Sequence, residues 1–241
     1  MMKPTRRSEL RRMPVRGSHD WDTISQILDA GFLAQVGFSV DGQPFVIPTL
    51  YGRRGETLYL HGSAASRMLR ELGSGVPACV SVTLVDGIVL ARSAFHHSMN
   101  YRSVVAFGTA RKIEDADHKV ECLEVISEHL IAGRWADVRS PNASELKATT
   151  VVEFQMEEAS SKVRSGPPLD EDGDYALPAW AGVLPLAIRS QPPIADSQLP
   201  SSIVLPDYVL RYEARLAGQK DRLEPEKISR AEKSTSPEES R

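Results

Sequence analysis

A junction between an apolar segment and a helical pattern carries the residues best suited to binding an anion. The segment TLYLHGSAASRMLREL starts as a strand, and its periodicity predicts a helix from Ser63 to Leu72. Helix N-termini expose unpaired N–H groups and a partial positive charge, both of which attract phosphate. Ser63 and Ser66 add hydroxyl groups, and Arg67 adds a forked cation. The junction therefore predicts a phosphate-type anion site, with a capped surface helix and an extended arginine as the alternative.

A second polar cluster, SAFHHSMNYRSVVAFG, lies between two apolar segments. Its residues at the start of the following strand are placed to line a pocket: Asn100, Tyr101, Arg102 and Ser103. A long hairpin loop whose arginine pairs with a carboxylate is the alternative interpretation.

Three further residues, in two segments, carry side chains that could contact a cofactor. Lys162 and Arg164 lie on one side of an extended segment, because side chains on a strand alternate with a period of two. A solvated strand end explains this pair equally well. Trp180 opens the last apolar segment, where a core position is more typical than a cofactor platform.

The histidines and the standard motifs predict no metal site. His96 and His97 are adjacent, so in an extended chain they point to opposite faces and do not share one metal. The patterns GxGxxG, GxxxxGK[ST], HExxH and GxSxG are all missing from the sequence. The chain therefore lacks the signatures of Rossmann dinucleotide binding, P-loop nucleotide binding, zinc proteases and serine hydrolases.

Composition narrows the function classes further. The 241 residues are 41% hydrophobic and carry a formal net charge of -3, so we expect neither nucleic-acid nor membrane binding. The basic first stretch has no apolar segment after it, which argues against a secretory signal. The only cysteines, Cys79 and Cys122, sit in apolar segments and form no CxxC motif. We therefore expect a cytoplasmic protein.

The elements that must position these residues are mostly strands. A helix is predicted from the N-cap Asp20 to Gly31, and another from Asp115 to about Ile131. Strand-like segments fill most of the remainder, with hairpin turns predicted at Asp41-Gly42 and Asp86-Gly87. Pro48 lacks an N–H group, which places its strand at an edge or a bulge. Six or seven antiparallel strands with flanking helices predict a mainly β fold, a barrel or sandwich.

The chain divides into four predicted regions. Residues 1–12 read as a basic flexible arm and residues 13–190 as the folded domain. Residues 191–212 read as an extended C-terminal segment, and residues 213–241 lack the apolar side chains needed to offset ordering entropy, which predicts a disordered tail.

Several of these pieces, taken in order, resemble one known family. FVIPTLYGRRGETLYLHGSAASRMLREL, HHSMNYRSVVAFGTARKIED and WAGVLPL resemble the pyridoxamine 5′-phosphate oxidase-like FMN-binding proteins, nearest the branch of the nitroimidazole-resistance reductases. The resemblance runs from about Met13 to Ile188. It implies an FMN-binding split β-barrel that works as a homodimer, with two FMN sites in the interface and residues from both subunits at each.

The resemblance also assigns roles to residues. It implies phosphate contacts at Ser66 and Arg67 and flavin-ring contacts along the strand from Val46 to Leu50. His61 stands where the reductases have a proposed catalytic histidine, although Gly62 is inserted after it here. The Trp and Arg pair that binds substrate phosphate in the true oxidase is not recognisable, so that activity is not expected. The candidate cofactor-binding residues are Val46, Ile47, Pro48, Thr49, Leu50, His61, Ser63, Ser66, Arg67, Asn100, Tyr101, Arg102, Ser103, Lys162, Arg164 and Trp180.

The leading functional hypothesis is a flavin oxidoreductase that passes electrons from NAD(P)H through FMN to a small organic acceptor. His61 or Tyr101 would donate the proton to the reduced acceptor. One alternative is a module that binds flavin nucleotide without turnover. Another is a haem-binding or haem-degrading split barrel with His61, His96 or His97 as axial ligand.

Overall fold

The computed structural model describes residues 5–212, so the predicted disordered tail, residues 213–241, lies outside the described residues. One compact unit ends at Ala187 and a second begins at Ile188. The second contains the short helix α5, given below, and many exposed apolar side chains. No helix between residues 5 and 212 is both long and apolar enough to cross a membrane.

Strands dominate the first unit. They are β1 (Gly17–Ser18), β2 (Leu33–Val40), β3 (Gln43–Leu50), β4 (Gly52–Arg54), β5 (Thr57–Ser63), β6 (Ala78–Leu90), β7 (Ser98–Lys112), β8 (Thr149–Arg164) and β9 (Gly182–Pro185). The helices are α1 (Trp21–Ala30), α2 (Arg67–Gly73), α3 (Ala116–Leu130), α4 (Ala143–Ala148) and α5 (Asp207–Leu210). Short 3₁₀ helices cover Pro14–Arg16, Ala94–His96, Trp135–Asp137 and Asp172–Ala176.

The strands form one antiparallel sheet in the order β3-β2-β6-β7-β8-β5-β4, with β1 paired to β8 and β9 paired to β6. This confirms the predicted mainly β fold with flanking helices. Very short strands account for the difference between the six or seven strands expected and the nine found in residues 5–212, because a two-residue strand such as β1 has no detectable period in the sequence.

Local signals place several elements correctly. The Asp20 carboxylate accepts a hydrogen bond from the Thr23 amide and caps α1, as predicted. Asp41 and Gly42 have φ of 50° and 79°, which is the left-handed conformation that a two-residue hairpin turn requires. β3, which contains Pro48, is the edge strand that its missing N–H group predicts.

The predicted hairpin at Asp86-Gly87 is wrong. β6 runs straight through these residues and pairs with β7 on both sides of them, with a register shift between Val85 and Gly87. The residue left over is Asp86, and its carboxylate accepts two hydrogen bonds from Arg102 of β7. A dipeptide suited to a turn has therefore become a β-bulge, because the long β7 ladder continues past it.

The start of α2 also differs from the prediction. The helix begins at Arg67 with Ser66 as its N-cap, whereas the sequence predicted a start at Ser63. β5 continues to Ser63, which pairs with Thr149 of β8. The strand ladder supplies backbone partners for residues that local propensity assigned to the helix.

The main core lies inside the curved sheet. It combines the buried faces of α1 and α2 with side chains from β2, β5, β6, β7 and β8, including Leu28, Val36, Leu60, Leu69 and Phe154. Tyr51 is fully buried there, and its hydroxyl donates to the Leu28 carbonyl over 2.5 Å.

A smaller core lies between α3 and the opposite face of the sheet. Cys122, Val125 and Ile126 of α3 pack with Tyr59 and Val151. The helical spacing of Val120, Leu123, Ile126 and Leu130 favours these residues as the core face of α3, but only Ile126 of these is buried. The helix is therefore rotated relative to that expectation.

The N-terminal arm contacts the sheet. The carboxylate of Glu158 on β8 accepts hydrogen bonds from Thr5, Arg7 and Ser8. The Arg7 guanidinium also lies over the Phe107 ring, 5.7 Å from its centroid. These residues of the arm are held against the sheet, in contrast to the flexible arm that the sequence predicted for residues 1–12.

Candidate functional site

The edge strand β3 presents apolar side chains on both of its faces. Val46 is 66% exposed, and Ile47 and Leu50 are also exposed, whereas Thr49 is half-buried. Pro48 lies between them and is exposed. A run of uncovered apolar residues on an edge strand is a surface that usually binds a ligand or another chain.

The junction after β5 brings a cation to this strand. The guanidinium carbon of Arg67 lies 5.2 Å from the centre of the Phe45 ring on β3. Arg67 is exposed, and no carboxylate within residues 5–212 pairs with it. We call Phe45, Val46, Ile47, Leu50 and Arg67 the β3 edge site.

The two serines of the junction take part in local capping. The Ser66 hydroxyl accepts from the Leu69 amide over 3.4 Å, and the Ser63 hydroxyl accepts from the Ala65 amide over 3.2 Å. Each hydroxyl keeps its own proton for a further partner. Because α2 has only seven residues, the charge of Arg67 rather than the helix dipole is the main attraction for an anion here.

His61 lies on β5 and is not part of the β3 edge site. Strand alternation puts it on the face of Tyr59 and opposite Val151, and this face packs against α3. Its Nδ1 atom is buried and has no hydrogen-bond partner within the described residues. Burial also lowers the pKa of His61, because the charged imidazolium loses its hydration.

The predicted cluster from Asn100 to Ser103 meets the predicted pair Lys162 and Arg164 where β7 begins and β8 ends. Tyr101 is paired with Arg164, and Ser103 is paired with Lys162. Asn100 is buried, accepts a hydrogen bond from Arg164 through Oδ1, and donates from Nδ2 to the Gly166 carbonyl over 3.2 Å. Residues separated by about sixty positions therefore form one polar group, as the sequence alone could not show.

Arg102 has a structural partner. Its Nε and Nη2 atoms donate to the two carboxylate oxygens of Asp86 over 2.8 and 2.7 Å. This two-point ion pair agrees with the alternative interpretation of the cluster, an arginine paired across the β-strands. Arg102 therefore stabilises the bulge in β6, while its Nη1 atom is buried without a hydrogen-bond partner in the described residues.

Trp180 and the adjacent histidines lie near the C-terminal end of β6. Trp180 is 70% exposed, in contrast to the core position that its surroundings predicted, and its ring covers Gly182 at the start of β9. His96 Nε2 lies 3.5 Å from a Glu171 carboxylate oxygen, and His97 Nδ1 lies 2.9 Å from the Ser93 carbonyl oxygen. Within residues 5–212, no three His, Cys, Asp or Glu side chains are grouped so as to hold a metal ion.

Two residues near these groups were not predicted from the sequence. Phe45 was part of an ordinary apolar strand, and Arg16 was one cation among many in the basic N-terminal stretch. Only their tertiary contacts distinguish them: Phe45 lies under Arg67, and Arg16 interacts electrostatically with Arg164. Neither residue can be identified as a site residue from the sequence, because its role depends on a partner that only the fold brings close.

Comparison with known proteins agrees with this fold. Residues 20–163 match the family model described as pyridoxamine 5′-phosphate oxidase. The flavocytochrome Anf3 from Azotobacter vinelandii is 40% identical to the chain with a TM-score of 0.81, covering 86% of this chain and 96% of that one. The FAD and haem binding protein from Mycobacterium smegmatis is 37% identical with a TM-score of 0.77, covering 81% of this chain and 96% of that one.

A protein assigned to 5-nitroimidazole antibiotic resistance, from Bacteroides thetaiotaomicron, shares the fold at 24% identity and a TM-score of 0.51, covering 61% of this chain and 86% of that one. Comparison with proteins of curated function gave no match. The matched segment spans more than half of the 241 residues and contains the whole sheet except β1, β9 and the last residue of β8. The resemblance inferred from the sequence is confirmed, and the chain belongs to the pyridoxamine 5′-phosphate oxidase family.

Proposed function

We propose that the chain binds a flavin nucleotide at the β3 edge site and passes electrons from NAD(P)H through it to a small organic acceptor. The flavocytochrome and the FAD and haem binding protein, both at least 37% identical to the chain, are flavin proteins by name. The sequence favoured FMN, whereas the Mycobacterium relative is named for FAD. A phosphate group is common to both nucleotides, and the proposal requires only that group.

The observation that carries the proposal is the position of Arg67 beside β3. A flavin nucleotide has a flat, largely apolar ring system and an anionic phosphate, so it needs an apolar surface next to an uncompensated cation. Ile47 supplies apolar surface on the strand face of Phe45, Val46 and Leu50 supply it on the other face of this edge strand, and Arg67, which has no carboxylate partner within residues 5–212, supplies the cation. The residues present therefore fit the nucleotide.

When bound, the flavin would supply the electron transfer, and the chain would supply orientation and protons. The apolar side chains of β3 would exclude water from one side of the ring, and Arg67 would fix the phosphate. Tyr101 is half-buried with a hydroxyl group able to hold a proton. The lowered pKa of His61 keeps its imidazole neutral at pH 7, which makes it a weaker candidate for proton donor than the sequence predicted.

The visible spectrum of the purified protein tests this function. The purified protein should show the two absorption bands of oxidised flavin, at about one flavin per chain. NADH or NADPH should bleach these bands when oxygen is absent. Chromatography of the flavin released by heat identifies it as FMN or FAD. Protein that remains colourless after incubation with either nucleotide would contradict the proposal.

Haem is a second candidate cofactor, and His61 is the residue that favours it. A haem ligand must be a neutral imidazole with a free nitrogen, and His61 combines a lowered pKa with a buried Nδ1 that has no partner in the described part of the chain. The similar protein from Mycobacterium smegmatis is named as haem binding, and the one from Azotobacter vinelandii is named as a flavocytochrome. We propose that His61, in preference to His96 and His97, would hold the iron of a bound haem.

Haem reconstitution distinguishes these histidines. His61→Ala should lose the Soret band while keeping the flavin bands, and His97→Ala should keep both. His97 is the matched control, because it already holds its Nδ1 atom against a backbone carbonyl. A Soret band that survives His61→Ala but disappears in His96→Ala or His97→Ala would reassign the ligand.

We also propose that the protein works as a homodimer in a reducing compartment such as the cytoplasm. The unpaired, apolar edge of β3 supports the dimer, because such edges are normally covered. Both cysteines, Cys79 and Cys122, are free thiols, which supports a reducing compartment. Sedimentation of the flavin-loaded protein at micromolar concentration should give a dimer, and a monomer with full flavin content would contradict this.

A further inference from the structure

The outer face of β8, near its C-terminal end, carries cations without carboxylate partners. Lys162 and Arg164 project from the same face, two residues apart, and Arg16 precedes Gly17, which pairs with Lys162. Within residues 5–212, none of these three forms an ion pair with an Asp or Glu side chain. We call Arg16, Lys162 and Arg164 the β8 cation cluster.

Arg164 is the central member because it is only 7% exposed. Its Nη1 donates to Asn100 Oδ1 and, over 3.4 Å, to the Gly166 carbonyl, and its Nη2 donates to the Pro167 carbonyl over 3.3 Å. Its Nε is buried without any partner in the described part of the chain. All of its hydrogen-bond partners among residues 5–212 are neutral, so no side chain described there compensates the positive charge, and burying such a charge is costly.

Two other arginines of this region show how the fold normally treats such a group. Arg92 pairs with Asp170 over 2.9 Å, and Arg102 pairs with Asp86 over 2.7 Å. Each of these carboxylates is itself partly or fully buried beside its arginine. Arg164 is more buried than Arg92 or Arg102. It has a neutral amide, that of Asn100, where each of the other two has a carboxylate.

The N-terminal arm also brings a second cation, Arg16, to the C-terminal end of β8. The N-terminal arm is anchored by Glu158, and Lys162 Nζ donates to the Arg12 carbonyl over 3.1 Å. The 3₁₀ turn Pro14–Arg16 then leads into β1, which pairs with β8. Burial is the main cause that lowers the pKa of Arg164, and the positive charge of Arg16 lowers it further.

We propose that the β8 cation cluster is a binding site for the oxyanion group of a small ligand, a phosphate or a carboxylate. An oxyanion accepts several charge-assisted hydrogen bonds at once and would neutralise the repulsion between Arg16 and Arg164. The Tyr101 hydroxyl, on the residue paired with Arg164, offers a further donor. This site is separate from the β3 edge site in residues and strands, and it does not require that a flavin binds there.

Titration of the full-length protein with inorganic phosphate, pyrophosphate and succinate tests the site, with chloride keeping the ionic strength constant. Calorimetry should show saturable binding of at least one of these anions, and the melting temperature should rise with its concentration. Arg164→Met should weaken this binding about tenfold or more, because one partner of a desolvated charge pair is lost. Arg54→Gln, which removes an exposed cation at the end of β4, should bind as the wild type does.

A second variant covers the case in which Arg164→Met does not fold. The double variant Arg16→Gln, Lys162→Gln changes only half-buried side chains and should weaken anion binding to a similar extent. Equal binding by wild type and this double variant would overturn the proposal, and so would the failure of all three anions to bind wild type saturably.

The ratio of phosphate to succinate affinity distinguishes a phosphate ligand from a carboxylate ligand. Flavin and haem content, read from the absorption spectrum of each variant, shows whether the anion belongs to one of those cofactors or to another molecule. Anion binding by protein that takes up no flavin would support this site and contradict the proposed function. Flavin uptake by protein that binds no anion at the β8 cation cluster would support the proposed function and contradict the anion site.

Discussion

Arg67 and Phe45 join α2 to the edge strand β3 through a cation–π contact of 5.2 Å. The contact places the guanidinium on the strand face that Phe45 shares with the exposed Ile47, without using its N–H donors. Because the ring face occupies only one side of the guanidinium, the donor atoms stay available for an anion. The contact thus combines positioning with an unpaired charge, and both properties can be tested separately.

Arg67→Ala should weaken binding of the flavin nucleotide. Loss of one partner from a charge-assisted contact typically costs about 2–5 kcal/mol, or roughly thirtyfold or more in dissociation constant. Riboflavin, which has no phosphate, should bind the variant and the wild type almost equally. Fluorescence quenching of each flavin measures both constants.

Arg70→Ala is the control for this experiment, because Arg70 is an exposed cation of the same helix. It should leave both constants unchanged. If Arg67→Ala binds FMN and FAD as tightly as wild type does, the phosphate does not lie at Arg67.

His61 should make the folded state less stable in acid. Burial lowers the pKa of His61 below its ordinary value of 6.5, so the unfolded chain takes up a proton before the folded chain does. The free energy of unfolding should therefore fall as the pH drops below 6.5 toward the folded-state pKa. His61→Gln, which cannot titrate, should show a smaller fall in urea unfolding measured on both sides of that pH, whereas His97→Gln should behave as wild type. Parallel curves for wild type and His61→Gln would contradict the burial effect.

Glu158→Gln should release the N-terminal arm. The Glu158 carboxylate accepts from Thr5, Ser8 and Arg7, and these hydrogen bonds, led by that of Thr5, lower the pKa of Glu158 to about 2. A neutral amide loses the charge and one acceptor, so the melting temperature should fall and proteases should cut within residues 5–16 sooner. Glu157→Gln is the matched control, since its carboxylate is exposed and contacts Arg7, over 3.3 Å, and Thr109, over 3.3 Å. Unchanged proteolysis in Glu158→Gln would show that the arm is held by other contacts.

Gly108→Ala should destabilise the sheet strongly. A Cβ atom at Gly108 would lie 1.9 Å from the backbone carbonyl oxygen of Gln155, and neither strand can move without breaking the β7–β8 ladder. Overpacking of this kind costs about 1–3 kcal/mol or more in the free energy of unfolding. Gly173→Ala is the control, because a Cβ atom there meets nothing within 4 Å. Similar unfolding midpoints for both variants would mean that the β7–β8 pairing relaxes where its register shifts, between Phe107 and Gly108.

The sequence by itself determined the elements whose signals are local. The Asp20 cap, the Asp41-Gly42 turn and the Asp115 cap were all identified correctly, because each depends on hydrogen bonds or φ values within three residues. The edge position of β3 followed from the missing N–H group of Pro48 for the same reason. Motif order along the chain was also sufficient to identify the family.

Only the tertiary structure decided the features that depend on strand pairing and on distant partners. Asp86-Gly87 became a bulge, and β5 extended to Ser63, because a β-ladder supplies backbone hydrogen bonds that outweigh local turn and helix propensity. The contacts of Arg67 with Phe45 and of Arg164 with Asn100, and the approach of Arg16, join residues that lie far apart in the sequence, and no local signal pairs them. Whether a cation has a carboxylate partner is a property of the folded neighbourhood, and the fold therefore decided which of the many arginines remain free to bind an anion.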